Sequence, residues 1–263
     1  MTPFKLAISD IQKAASQYRI WLQLGLLEVK QRYRRSVLGP WWISLSMLIF
    51  ILAMGNIFSR LLAQSLAEYI PFFTAGFLLW SFISTSINES TDIFKSNSGF
   101  IKQVKLPYNL YILKFLVRNF IILAHNFVVY LLVIGFFRLN PGWASLLAIP
   151  GMILLILNLY WICLIVALIS VRYRDMVQVI QTGLQILFFM TPISWMPKLL
   201  GEESILVKMN PFVYFLDAIR QPLLGNLPSL NTWIVNSSIA IIGLSGSLLI
   251  FSSVRSRIPF WVD

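Results

Sequence analysis

Long apolar segments alternate with short polar ones along most of the chain. A helix that crosses the hydrocarbon core of a bilayer needs about 20 mainly apolar residues, and six segments approach that length. They are residues 41–58, 70–87, a stretch within 111–137, a stretch within 144–171, 177–195 and 233–253. The pattern predicts an all-α integral membrane protein with six transmembrane helices.

The segment before the first apolar stretch has helical spacing but too many charges to span. Apolar residues repeat on one face from Leu22 to Tyr33, whereas Lys30 and Arg34 lie on another. This pattern predicts an amphipathic helix at the membrane interface, with its basic face toward anionic headgroups. We therefore expect a single domain over residues 1–263, with an interfacial helix and access loop over 1–39 and a six-helix membrane core over 40–263.

Two connections are longer than a connector needs. The polar, lysine-rich connection over residues 88–109 is either a solvated loop or a docking element for a soluble partner. The connection over residues 196–232 contains an apolar run at residues 212–216, which is followed by Asp217 and Arg220. That run is too short to span, and it predicts a re-entrant or interfacial helix between helices five and six that covers the outer face.

Composition supports this assignment and orients it. The 263 residues are 58% hydrophobic and 12% charged, with a formal net charge of +11, whereas a soluble domain is about 25% charged. With the N-terminus inside, most of the 21 Lys and Arg residues fall in cytoplasmic segments, as the positive-inside rule requires. The charge therefore indicates membrane topology and not a nucleic-acid partner, and both termini are expected in the cytoplasm.

Few residues suit catalysis or metal binding. The chain has one cysteine, Cys163, and one histidine, His125, and it contains no Gly-Lys pair of a phosphate-binding loop. Lys114 and Arg118 are expected to extend toward the headgroups. His125 with Asn126 is expected to form a hydrogen bond between helices. We predict no enzymatic activity, no metal and no cofactor in this chain.

The densest cationic cluster runs from Lys30 to Arg35 and precedes Gly39, Pro40 and the first apolar segment. Arginine side chains suit bidentate recognition of phosphate, so a diphosphate headgroup would fit here. Simple anchoring of the chain at the membrane surface explains the cluster equally well.

Five segments of the chain are similar to the motifs of a known family. They contain, in order along the chain, Arg32, Tyr33, Arg34, Arg35, Ser36, Leu38, Gly39 and Trp41; Asn97, Phe100, Ile101, Lys102, Lys105, Leu106 and Pro107; Arg172, Tyr173, Arg174 and Asp175; Thr191, Pro192, Ile193, Trp195, Asn210, Pro211 and Arg220; and residues 257–261. Together they resemble the permeases of type-2 (ABC-2-like) ABC transporters, and within them the bacterial O-antigen exporters. The similarity covers nearly the whole chain.

The resemblance assigns a role to each of these segments. It implies an ATPase-coupling loop at Asn97, Phe100, Ile101, Lys102 and Lys105, and a site near the lipid diphosphate at Arg32, Tyr33, Arg34, Arg35, Leu38 and Gly39. It further implies a cytoplasmic turn at Arg172, Arg174 and Asp175, and an outer gate at Pro192, Trp195, Asn210, Pro211 and Arg220. Helices one and five of two protomers would line the channel.

The resemblance also implies partners and a location. Two copies of this chain would pair with two soluble ATP-binding subunits, which would hold ATP and Mg²⁺. The substrate would be an undecaprenyl-diphosphate-type lipid-linked glycan in the bacterial inner membrane. A permease for capsule, teichoic acid or a small lipid or drug remains an alternative, as does a membrane-embedded glycosyl- or acyltransferase.

Overall fold

The computed structural model describes residues 2–34, 39, 41–199 and 204–262, and these residues form α-helices joined by turns and short 3₁₀ segments. The helices are α1 Pro3–Ser16, α2 Tyr18–Arg32, α3 Trp41–Leu61, α4 Leu66–Ser90, α5 Ile93–Ser96, α6 Ser98–Gln103, α7 Tyr108–Phe137, α8 Ala148–Arg172, α9 Met176–Met190, α10 Ile205–Lys208, α11 Pro211–Leu223, α12 Leu230–Val254 and α13 Ile258–Trp261. The predicted all-helical fold class is confirmed.

Five helices of the described chain are long and apolar enough to cross a membrane. They are α3, α4, α7, α8 with the 3₁₀ turn Gly142–Leu147 before it, and α12 with the residues up to Trp261. The protein is therefore a multi-pass membrane protein. The residues between α4 and α7, where a docking element was one of two expectations, fold into the short helices α5 and α6.

The fifth predicted span differs from the prediction. Helix α9 has 15 residues, which is about 22 Å of helix against a hydrocarbon core of about 30 Å. The apolar stretch continues to Trp195, but the helix ends at Met190 because Pro192 follows. Thr191, the residue before this proline, adopts an extended conformation with ψ 136°, as the proline ring requires.

Helix α4 is the centre of the bundle. Its side chains are buried around most of its circumference, including Phe73, Leu78, Leu79 and Ile83. Helices α3, α7, α8, α9 and α11 all pack against it. A spanning helix that is apolar on most sides suits such a central position, and the first part of α4, up to Trp80, is of this kind.

Polar side chains between the spanning helices bond to one another. Asn126 on α7 accepts a hydrogen bond from the Ser44 hydroxyl on α3 at 3.1 Å, and the Asn158 amide on α8 donates to the Asn236 side-chain oxygen on α12 at 2.9 Å. Such bonds satisfy polar groups that hydrocarbon cannot. The expected interhelical bond is confirmed for Asn126, whereas the His125 ring contacts the Ile121 carbonyl of its own helix at 2.8 Å.

The N-terminal segment forms two helices that dock on the bundle. A Cβ placed on Gly25 of α2 would lie 3.0 Å from the Lys114 carbonyl oxygen, so the α2 and α7 backbones approach closely. Val29 is buried in the same contact, while Leu22 and Leu26 remain exposed. The predicted apolar face is thus divided: its last turn packs on protein, and its first turns face outward.

Helix α11 is also packed into the bundle. A Cβ on Gly151 of α8 would lie only 2.4 Å from the Ala218 carbonyl oxygen of α11. Phe215, Leu216 and Ile219 of α11 are almost fully buried. The absence of a side chain at residue 151 therefore fixes how closely α11 approaches α8.

We expect Gly151→Ala to destabilise the protein by about 1–3 kcal/mol, because the new methyl group overlaps backbone atoms that cannot move aside. The matched control is Gly246→Ala on α12, where nothing lies within 4 Å of the added Cβ. That variant should be neutral or slightly stabilising, since alanine favours helix over glycine. Thermal unfolding of both purified variants measures the difference; equal melting temperatures would contradict the assigned α8–α11 contact.

Candidate functional site

One end of the bundle, which we call the basic end, contains a network of charged side chains. It is formed by α2, the last turn of α4, α5, α6 and the first turns of α7. The side chains that make the network are Glu28 and Arg32 on α2, Glu89 on α4, Asn97 between α5 and α6, and Lys114, Arg118 and Asn119 on α7.

Lys114 lies at the centre of this network. Its ammonium is 2.5 Å from Glu28 Oε1 and donates a hydrogen bond to Asn97 Oδ1 at 2.9 Å. Only 9% of its side chain is exposed. A buried ammonium requires partners of this kind because burial alone disfavours the charged form. Lys114 thus links α7 directly to α2 and to the α5–α6 segment.

Arg118, one turn further along α7, bridges two carboxylates. Its guanidinium contacts Glu28 Oε2 at 3.1 Å and Glu89 Oε2 at 2.5 Å. The other Glu89 oxygen receives Arg32 of α2 at 2.6 Å. Both carboxylates therefore hold two cations each, and α2, α4 and α7 are joined by ion pairs that share their partners.

The network lines a cavity of about 260 Å³, which Asp92, Tyr111 and Phe115 complete. Lys114 and Arg118 therefore do not extend toward the headgroups, and that prediction was wrong. The physical reason is the docking of α2: it brings Glu28 against α7, so the cations find carboxylates within the protein.

Helix α6 has little cover from the bundle, whereas Ile93 and Phe94 of α5 are buried. Phe100 on α6 is 61% exposed, while Ile101 packs against the core. Lys102 and Lys105 are exposed. The Asn97 amide, which follows α5, donates to the Ile93 carbonyl of that helix at 2.7 Å. The predicted coupling residues thus form an exposed surface whose base is tied to Lys114.

The predicted lipid-diphosphate residues lie at the end of α2. Arg32 belongs to the network of ion pairs, whereas Arg34 is exposed. Tyr33 is partly buried, and this burial raises the pKa of its hydroxyl. Gly39 adopts φ 53°, a left-handed conformation that glycine accepts at little cost. Arg35 and Leu38 lie outside the described residues.

A second polar cluster closes the same end. Asp10 of α1 accepts hydrogen bonds from the backbone N–H groups of Tyr108 and Asn109 at 3.2 and 3.1 Å, so its carboxylate caps the N-terminus of α7. Arg255 after α12 pairs with Asp10 at 3.2 Å, and the Tyr160 hydroxyl of α8 donates to Asn109 Oδ1 at 2.6 Å. The buried Asp10 carboxylate therefore joins α1 to α7 and to Arg255 after α12, and Asn109 links Tyr160 of α8 to the same cluster.

The predicted cytoplasmic turn joins α8 to α9 at this end. The Arg172 guanidinium lies 5.4 Å from the centre of the Trp261 ring, which ties the turn to α13. Arg174 and Asp175 are exposed. This turn therefore adds further exposed charge to the surface that contains α6.

At the opposite end, the predicted gate residues converge on the segment after α9. The fully buried Arg220 donates to the Pro192 carbonyl and pairs with Asp217 at 2.6 Å, and its guanidinium lies 4.2 Å from the Phe72 ring centre. Asn210 donates to Thr191 Oγ1 at 2.9 Å. Pro192, Asn210 and Arg220 are thus brought together, with α11 held against the end of α9.

The remaining two gate residues lie at the margin of this group. The Trp195 indole N–H donates to the Phe189 carbonyl at 3.0 Å, so the turn after α9 folds back on the helix. Pro211 is exposed and is the first residue of α11, where proline is well tolerated.

An open groove of about 490 Å³ lies between parts of α4 and α9. Its lining combines aromatic rings and amide or hydroxyl groups: Trp80, Ser84, Thr85, Asn88, Gln181, Leu184, Gln185, Phe188 and Phe189. Phe189 is 70% exposed. A surface of this composition can stack on apolar faces and form hydrogen bonds at the same time.

Sequence reasoning missed the acidic partners in these clusters. Glu28, Glu89 and Asp10 were not singled out, although only 10 of the 263 residues are acidic. The detectable signal was spacing: Glu28 and Arg32 on one helix, and Lys114 and Arg118 on another, lie four residues apart and can face each other in pairs. In the described part of the chain, no group of three or more His, Cys, Asp or Glu residues could hold a metal ion.

Comparison with known proteins identifies similar chains. The family model for the ABC-2 type transporter matches residues 21–224. An O-antigen export system permease protein, RfbA, of Myxococcus xanthus is 26% identical over 251 residues, which cover 92% of this chain and 95% of the relative. Two proteins of the same name from Klebsiella pneumoniae are 23% and 22% identical, and cover 70% and 88% of this chain and 72% and 90% of their own lengths.

We expect Glu28→Gln to destabilise the protein by about 3 kcal/mol, since it leaves the buried Lys114 without its carboxylate. The matched control is Glu68→Gln, because the Glu68–Lys198 pair is half exposed on both sides and should be worth less than about 1 kcal/mol. Thermal unfolding in detergent measures both. Similar losses in the two variants would show that the network is no stronger than a surface ion pair.

Proposed function

The chain belongs to the ABC-2 type transporter family, and we propose that it is the membrane permease subunit of an ATP-driven exporter of a lipid-linked polysaccharide of O-antigen type. The observation that carries this proposal is the similarity to O-antigen export permeases over 92% of the chain. The proposed location is the bacterial inner membrane, with both termini in the cytoplasm. The clustering of Lys and Arg at the basic end supports that orientation.

The proposed topology has six spans, with α9 as the fifth and α11 as a re-entrant segment at the outer face. Both ends of α11 lie near connections at the end opposite to the basic end: Asn210 bonds to Thr191 after α9, and Gly225 lies beside Pro141 after α7. Residues 191–195 would complete the crossing that α9 begins. The Tyr69 hydroxyl, which donates to the Ser194 carbonyl at 2.6 Å, would hold this segment against α4.

The exposed α6 surface is the proposed contact for a soluble ATPase subunit. Two copies of the permease would bind two copies of the ATPase, which would hold ATP and Mg²⁺, whereas this chain would hold no cofactor. Phe100 would insert into a groove of the ATPase. Movement of α6 would reach α2 through Asn97, Lys114 and Glu28, because these side chains are bonded in sequence.

The access and translocation steps follow from the same arrangement. Arg32, Arg34 and Arg35 would receive the diphosphate of the lipid-linked glycan at the inner surface. The groove between α4 and α9 would then contact sugar rings, since aromatic faces pack on their C–H surfaces and amides bond to their hydroxyls. Helices α3 and α9 of two protomers would line the channel; Ile49 and Ile57 of α3 are exposed within this chain, which leaves that helix accessible to another protomer.

Related substrates remain within this proposal as alternatives. A capsule or teichoic acid glycan would make the same use of a diphosphate site and a sugar groove, whereas a small lipid or drug would need no amide-rich lining. A membrane-embedded glycosyl- or acyltransferase would be active without any ATPase. Two observations therefore distinguish these functions: which substrate changes the rate of ATP hydrolysis, and whether the chain is active without an ATPase subunit.

The decisive experiment co-expresses this chain with the ATPase encoded beside it and reconstitutes the complex in vesicles with and without lipid-linked glycan. We expect a stable complex whose ATP hydrolysis responds to glycan. Phe100→Ala, alone and with Lys102→Ala, should lower that response at least about tenfold, the loss expected when a buried aromatic contact is removed. Phe120→Ala, which removes a 40% exposed phenylalanine on α7, is the control.

Each outcome has a separate meaning. A chain that copurifies with no ATPase, or that transfers sugar or acyl groups alone, would overturn the exporter proposal. A complex that ignores glycan but responds to a small lipid would leave the family role and reject the substrate. A normal response with Phe100→Ala would reject α6 as the ATPase contact.

The α4–α9 groove gives a second test. Gln185→Leu removes an amide from the lining and should raise the glycan concentration for half-maximal stimulation about three- to tenfold, the equivalent of one hydrogen bond. The control is Gln23→Leu, which changes an exposed glutamine of α2 outside the groove. The measurement is glycan-stimulated ATP hydrolysis of the reconstituted complex. Equal curves for the two variants would exclude Gln185 from glycan contact.

A further inference from the structure

Arg32, the last residue of α2, belongs both to the charged network and to the proposed diphosphate site. Its guanidinium contacts Glu89 Oε1 at 2.6 Å, and this ion pair joins the last turn of α2 to the last turn of α4. A guanidinium binds carboxylate and phosphate groups through the same N–H donors. The Glu89 carboxylate and the diphosphate of a substrate would therefore compete for Arg32.

The two oxygens of Glu89 hold cations that differ in exposure. Oε2 contacts Arg118, whose side chain is 18% exposed, at 2.5 Å, whereas Oε1 contacts Arg32, whose side chain is 41% exposed. An ion pair near water contributes little to stability, while the loss of a buried pair leaves a charge without compensation. The Arg32–Glu89 pair is thus the easier of the two to break, and Glu89 then keeps Arg118 as its partner.

The docking of α2 on the bundle does not depend on the partner of Arg32. The close approach of the backbones at Gly25 and the ion pairs of Glu28 with Lys114 and Arg118 involve other parts of α2. A change of partner at Arg32 would therefore alter the last turns of α2 and α4 and leave the packed bundle as it is.

Glu89 lies close in the chain to the proposed ATPase contact. It is in the last turn of α4, and α5 begins four residues later at Ile93. The Glu89 carbonyl accepts the backbone N–H of Asp92 at 3.2 Å, so the turn into α5 is built on Glu89. Helix α6, with the exposed Phe100, follows α5 directly.

We propose that the Arg32–Glu89 ion pair is a latch that the substrate opens. The diphosphate, which carries more negative charge than one carboxylate, replaces Glu89 at Arg32, and Glu89 is then held by Arg118 alone. The last turn of α4 is released from α2, and this change reaches α5 and α6. The inference rests on the proposed function and adds to it a means by which the ATPase subunit detects a loaded permease.

The test uses the complete permease–ATPase complex in phosphatidylcholine nanodiscs, whose headgroups carry no net charge. ATP hydrolysis is measured with and without lipid-linked glycan, and native mass spectrometry measures the binding of undecaprenyl diphosphate. In Glu89→Gln the latch is open, while Arg118 keeps Glu28 as its partner. We expect hydrolysis without glycan to rise to the glycan-stimulated rate of the wild type. Binding of undecaprenyl diphosphate should tighten about two- to fivefold, the equivalent of one exposed ion pair.

Arg32→Gln opens the same latch from the other side. Hydrolysis without glycan should rise as in Glu89→Gln, whereas binding of undecaprenyl diphosphate should weaken, because a guanidinium that binds phosphate is lost. The double variant should bind like Arg32→Gln alone, since Glu89 affects binding through Arg32. The control is Glu68→Gln, which breaks the exposed pair with Lys198 at the opposite end and should change neither measurement.

Two results would overturn the latch: hydrolysis without glycan that stays at or below the wild-type rate in both single variants, or weaker diphosphate binding in Glu89→Gln. Size-exclusion profiles verify assembly, and if Glu89→Gln does not assemble, the hydrolysis rate of Arg32→Gln decides. The wild type separates this inference from the proposed function. A wild type that binds the diphosphate and responds to glycan, with variants that give either result, rejects the latch alone. A wild type that does neither rejects the proposed substrate.

Discussion

The largely buried cations Lys114, Arg118 and Arg220 each have acidic or carbonyl partners beside them, and this pairing holds several helices in place. Lys114 and Arg118 share Glu28, Arg118 and Arg32 share Glu89, and Arg220 is held by Asp217 and the Pro192 carbonyl. Charges in or beside hydrocarbon are costly without such pairing. Because each carboxylate serves more than one cation, helix α2 cannot leave its place on α7 without exposing several unpaired charges.

This pairing divides the molecule into a fixed part and a less constrained one. The basic end is bonded across α1, α2, α4, α7, α8 and the residues after α12, through the Glu28–Glu89 network and through Asp10. Helix α9 has a different status, because Leu184 is its one buried residue. Its two ends are tied, by Arg172 and Trp261 at one side and by Asn210 at the other, while its length is largely exposed. In the proposed exporter, this exposed length is the part of α9 that a second protomer would cover.

The sequence predicted those features that depend on local pattern. Apolar length identified five spanning helices. The connection after α4, for which the sequence left a solvated loop and a docking element open, contains the short helices α5 and α6. Two predictions were wrong, one because it depended on a contact between distant segments and the other because it overlooked the effect of one proline. Lys114 and Arg118 were placed among headgroups because the docking of α2, which supplies Glu28, leaves no trace in the pattern of α7. The end of α9 was placed at Trp195 because apolar length was weighed above the helix-breaking effect of Pro192.

The position of Asn97 shows why the candidate site could be assigned only in part. Resemblance placed this residue in a coupling loop, and the geometry adds that its side chain bonds both to Ile93 of its own segment and to Lys114 of α7. Lys114 in turn bonds to Glu28, and α2 ends four residues later at Arg32. An exposed surface that suits a partner and a basic segment that suits a diphosphate are therefore separated by three side chains in direct contact. In the proposed exporter, a displacement of α6 would therefore reach α2 through these contacts, because Asn97, Lys114 and Glu28 are bonded in sequence.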